Sequence, residues 1–204
     1  MRKIIILLLF IIGFLNSSAQ NPKYVTLMEQ YIVVLDTAKN ATVLQDLANK
    51  FERIANVEKK EWLPYYYTSY CYAKMKYASE KSAIDILCDK ADEWANKADS
   101  LNLNNSEVYC LKAQFASERI SVNPLTRAQK YGSQASGFRE KAKVLDPSNP
   151  RLYYLERVTL FYTPTSLGGG KNKAKVCFEK ALLLFETFQP INRIVPHWGK
   201  ASTQ

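Results

Sequence analysis

The sequence predicts an all-α fold built of four helix pairs, and three observations carry that expectation. First, two alanines seven residues apart occur four times, as Ala48 and Ala55, Ala91 and Ala98, Ala135 and Ala142, and Ala174 and Ala181, stepping along the chain by 43, 44 and 39 residues. Seven residues bring a helix back to nearly the same face, so each copy marks a small-residue strip where another helix can approach closely. Second, the intervening segments repeat: Val108, Tyr109 and Leu111 return 44 residues later as Leu152, Tyr153 and Leu155, and 44 residues before Tyr109 lies Tyr65. Third, the chain has only seven glycines and no strand-like alternation of apolar residues.

The chain opens with Arg2 and Lys3 before an apolar run from Ile4 to Phe10 that continues to Leu15 and gives way to small residues. That is the pattern of a secretory signal peptide over residues 1–19, with cleavage after Ala19. The run is shorter than the roughly 20 residues of a spanning helix. No later segment is long and apolar enough to span, so residues 20–204 are expected as one exported domain, periplasmic or secreted.

Asn21-Pro22, Asn123-Pro124 and Asn149-Pro150 each place a capping side chain before a proline at the first helical position, which marks three helix starts independently of the alanines. The helix pairs are expected over about 22–57, 61–101, 106–145 and 149–188, with a tail over 189–204. Pro64 is tolerable because it falls in a first turn. In the tail, Trp198 is expected to cover the apolar face of the last pair. The four cysteines, Cys71, Cys88, Cys110 and Cys177, follow no metal or redox spacing. Buried free thiols are the plain reading, while Cys71 and Cys88, equidistant from the turn near Ser79, leave a disulfide open.

On these residues the chain resembles the tetratricopeptide repeat family. The last copy carries that family's second-helix pattern as Ala174, Phe178 and Ala181, and Asp146-Pro147 after Ala142 fits the proline that closes a repeat. The period of 39 to 44 exceeds the family's 34, and the first-helix signature is largely missing, as in a divergent exported member of the kind found in Bacteroidota-like bacteria. The resemblance implies a right-handed α-solenoid of four antiparallel helix pairs. It further implies a non-enzymatic scaffold that holds a protein or peptide partner on its concave face. By analogy with the family's groove positions, Tyr109, Tyr153, Arg157 and Phe161 would face that partner, joined by Tyr65, Ser69 and Tyr72 one repeat earlier. Tyr65, Tyr109 and Tyr153 would then form an aromatic ladder. The alternative is a carbohydrate-binding helical module, motivated by thirteen tyrosines and three tryptophans.

Chemistry beyond binding has little support in the residues. Leu167-Gly168-Gly169-Gly170-Lys171 lacks the glycine spacing and the hydroxyl residue of a phosphate loop. The only histidine, His197, sits beside Trp198 with no nucleophile near it in sequence, which excludes a catalytic triad or a multi-histidine metal site. No pattern calls for a cofactor. Charge is uneven: residues 125–204 carry 13 basic and 5 acidic side chains, against 13 and 14 in residues 20–124. That bias suits an anionic partner such as an acidic glycan, lipid headgroup or acidic peptide, whereas nucleic acid is disfavoured for an exported chain without a binding motif.

Overall fold

The computed structural model describes residues 21–200, so the expected signal peptide lies outside them. Eight α-helices account for most of the described chain: α1 Pro22–Thr37, α2 Ala41–Val57, α3 Trp62–Met75, α4 Ile84–Leu101, α5 Ser106–Ile120, α6 Pro124–Leu145, α7 Pro150–Tyr162 and α8 Lys171–Thr187. No strand occurs among the described residues.

Asparagine starts five of these helices. The side chains of Asn21, Asn40, Asn105, Asn123 and Asn149 each accept from a backbone amide in the first turn, satisfying donors that the helix itself leaves unpaired. In α1, α6 and α7 the proline beside the cap fixes the first helical φ without removing a needed hydrogen bond.

All eight stripe alanines are buried, at 3 % exposure or less. A methyl group there lets the paired helices approach closely where a larger side chain would hold them apart. The centre of the molecule is α3 and α5, each with eleven buried residues. Packed against neighbours on several sides, they show none of the one-faced pattern of a surface helix. Aromatic rings link the layers: Tyr31 meets the edge of Phe51, Phe51 stacks on Tyr67 at 5.3 Å, and Tyr66 packs perpendicular to Tyr67.

The C-terminal tail adds contacts that the repeat alone does not call for. In an open stack each repeat touches only its neighbours. Here the tail runs back across the bundle, and Tyr67 of α3 donates to the Ile194 carbonyl 127 positions away. The Trp198 ring stacks on Tyr70 of α3 at 5.0 Å, and its Nε1 donates to the Tyr66 hydroxyl at 2.7 Å. Trp198 therefore does more than cover the last pair: it joins the large core around α3 to the smaller core of α5, α7 and α8. The chain forms an all-helical bundle tied from its last segment to its first pairs.

Beneath the tail lies a buried ionic centre. Arg151 of α7, 1 % exposed, donates through Nε and Nη2 to the two carboxylate oxygens of Glu107 on α5, at 2.6 and 2.5 Å. Asn149 donates to the same carboxylate at 2.7 Å, and Arg151 Nη1 reaches the Trp198 carbonyl. Burial disfavours the Arg151 charge, yet Glu107 outweighs it and holds the guanidinium above its ordinary pKa. The thiols take no part: Cys71, Cys88, Cys110 and Cys177 are all free, and burial raises the pKa of each. Replacing Arg151 with Met leaves Glu107, whose side chain is only 15 % exposed, without its cation and should cost up to about 3–5 kcal/mol in urea unfolding. Adding Glu107→Leu should restore most of that loss.

Candidate functional site

A groove of about 560 Å³ opens where the tail meets α1, within the range of small-molecule sites. One wall is the second half of α1, through Ile32 and Val33. The other is the end of α8 and the start of the tail, through Phe185, Phe188 and Pro190. Amphipathic α1 turns Met28, Ile32 and Leu35 into the core and leaves Val33, at 68 % exposure, facing the opening. An exposed valine opposite a phenylalanine and a proline gives both walls an apolar surface. Gln189 and the titratable Glu29, Arg193, His197 and Lys200 supply its polar groups, with two cations and a histidine against one carboxylate. The uneven charge of the sequence thus surfaces here.

Two features hold the tail wall in place. Gly199 has φ +102°, and a Cβ there would lie 2.8 Å from Phe185 Cζ, so the backbone passes directly over that ring. His197 is anchored at both ring nitrogens, Nδ1 at 3.0 Å from the Val195 carbonyl and Nε2 at 3.2 Å from Asp36 Oδ2 on α1. The hydrogen bond to Asp36 raises the His197 pKa above its ordinary 6.5, against the opposing effect of burial. Next to Asp36, Lys74 of α3 donates to the Leu35 carbonyl, and burial lowers its pKa.

The residues singled out from the sequence lie elsewhere. Tyr109 and Tyr153 are 6 % and 4 % exposed, their hydroxyls bonded to Asp99 and to the Pro147 carbonyl. Ser69 is buried and donates to the Ala91 carbonyl, and Tyr72 is buried with Lys90 over its ring. Tyr65, half-buried, donates to the Ala55 carbonyl and tilts against Trp94. Arg157 lies over the rings of Tyr154 and Phe178, while Phe161, 48 % exposed, packs edge-on to Tyr162. The three tyrosines spaced 44 apart thus spend their hydroxyls within the fold and form no open ladder. The groove residues Val33, Phe188, Arg193 and His197 share no period, so repeat analysis passes over them; the basic C-terminal bias is the sequence signal that could have drawn attention to the tail.

The chain matches no protein-family model and no curated protein. Among solved structures it is similar to the HusA haemophore from Porphyromonas gingivalis, with 36% identity over 91% of this chain and 92% of that one, and a TM-score of 0.82. This likeness overturns the tetratricopeptide assignment, and with it the peptide-binding scaffold and the carbohydrate module inferred from it. The protein, glycan and envelope partners expected from that assignment fall with it, since the matched protein is a haemophore. The repeat misled because alanine strips and aromatic spacers are what any close pairing of helices requires, whatever the bundle binds.

Ala replacement of two glycines checks the tail wall. Gly199→Ala should lower stability by about 1–3 kcal/mol through backbone strain. Gly137→Ala, inside α6 with nothing within 4 Å of the new methyl, should raise stability by up to about 1 kcal/mol in the same urea titration.

Proposed function

We propose, since this chain belongs to the family of the HusA haemophore, that it is an exported haem-binding protein whose ligand lies in the groove between α1 and the C-terminal tail. The observation that carries the reading is the 36% identity over nearly the whole length of both chains, with one fold. No helix among the described residues is long and apolar enough to cross a membrane, which suits a carrier released from the cell surface or held in the periplasm.

The residues present fit a tetrapyrrole. Haem is a broad apolar plate with two carboxylates on one edge. A slot walled by Val33 on one side and Phe188 and Pro190 on the other removes the faces of such a plate from water, the main source of affinity for an apolar ligand. Arg193 and Lys200 at the rim suit the carboxylates, and Arg offers the planar fork that grips a carboxylate with two bonds. Both ring nitrogens of His197 are directed at protein oxygens, so recognition as proposed rests on the plate's faces and its acidic edge. Binding and release are the whole task, and no bond of the ligand is made or broken.

Haemin titration followed by the porphyrin absorption band should show saturable binding to the native chain. The double variant Arg193→Glu/Lys200→Glu should weaken binding by about tenfold or more at low salt, with the difference shrinking as salt screens the carboxylates. Phe188→Ala should weaken it at every salt concentration. A native chain that leaves the haemin spectrum unchanged, or groove variants that bind as the native chain does, would overturn the assignment.

A further inference from the structure

His197 and Asp36 stand 161 positions apart in sequence and meet at one end of the groove. Asp36 follows Ile32 and Val33 by one turn of α1, and His197 is part of the opposite wall, so their contact crosses from wall to wall. Both atoms facing the imidazole are acceptors, a carbonyl oxygen at Nδ1 and a carboxylate oxygen at Nε2. A neutral imidazole carries one N–H and can satisfy only one of them, so the geometry is complete only for the imidazolium. The pair is half-exposed, with side chains at 32% and 41%, which leaves it open to protons.

We propose that the His197–Asp36 pair is a strap that fixes the spacing of the groove's two walls and thereby governs how fast a bound porphyrin leaves. The inference rests on the haem reading of the groove. His197 acts as a positioning residue, through the tail that it holds, and the ligand need not touch it. The buried anchors of the tail, Tyr67 on Ile194 and Arg151 on Trp198, act on the α3 and α7 side, so the His197 contact with Asp36 secures the tail to α1 itself.

The charged groups around the strap set its pH range. Asp36 comes from α1, with Glu29 lining the groove on the same helix. Lys74 of α3 lies beside Asp36, Arg151 of α7 disfavours the imidazolium, and Arg193 and Lys200 share the tail wall. Since the folded-state pKa of His197 is raised above 6.5, the strap is complete below that value and is lost as pH rises through the higher one. Tightening in acid and loosening in alkali is the expected sense.

Two measurements on the full chain decide the matter. In the ligand-free protein, Asp36→Asn should speed amide hydrogen exchange in residues 194–199 about three- to fivefold below the histidine pKa, as the loss of a half-exposed ion pair allows. In the haemin complex, transfer to excess apomyoglobin should quicken about three- to fivefold for the native chain between about pH 5.5 and 8.5. Asp36→Asn and His197→Gln should be fast at both ends of that range. Haemin's own protonation enters all three profiles alike, so the difference between profiles is the signal. Unchanged exchange overturns the strap, and coincident release profiles overturn its control of the ligand. If haemin binds to none of the three proteins, the haem reading fails and with it the control of release, while the exchange measurement alone decides the strap.

Discussion

The bidentate ion pair between Arg151 and Glu107 is the constraint on which the rest of the bundle depends. A guanidinium this deeply buried is tolerable only if its charge is matched and its donors are used, and Glu107, Asn149 and the Trp198 carbonyl together do this. The arrangement brings α5, α7 and the tail to one point. Tyr66 adds α3, its hydroxyl 3.4 Å from Glu107 and accepting from Trp198. A cluster of this kind contributes less through net energy than through geometry, because a shifted helix would leave a charge unpaired in the core.

That geometry is passed to the surface by the tail. Held inside by Trp198 and Ile194, the segment presents Pro190, Arg193 and His197 on its other side, where they face α1 across the groove. The Phe188 ring lies 4.6 Å from the Arg151 guanidinium, so the ionic centre also bears directly on a groove wall. A site assembled from a helix near one end of the chain and a tail at the other depends on a long closure, and the buried anchors are what hold it shut.

The tyrosines illustrate how composition can mislead about function. Thirteen of them in 204 residues suggest a surface for stacking. In α3, however, Tyr66, Tyr67 and Tyr70 are buried structural posts whose pKa values burial drives upward, and Tyr66 and Tyr67 place their hydroxyls on specific oxygens across the bundle. A buried tyrosine supplies core area and one directed hydrogen bond together, which makes it a useful spacer between helix layers.

The sequence by itself determined the helices. The Asn-Pro caps at positions 21, 123 and 149 and the alanine strips at 48–55, 91–98, 135–142 and 174–181 act within one helix or between chain neighbours, so their signals are local and periodic. Only the tertiary structure decided where the tail goes and what it builds. The meetings of His197 with Asp36, Trp198 with Tyr70, and Arg151 with Glu107 join residues 161, 128 and 44 positions apart. The last of these matches the repeat period, and even so the sequence does not mark it as an ion pair. Such contacts leave no periodic trace because each occurs once, and the groove exists only where the two ends of the chain come together.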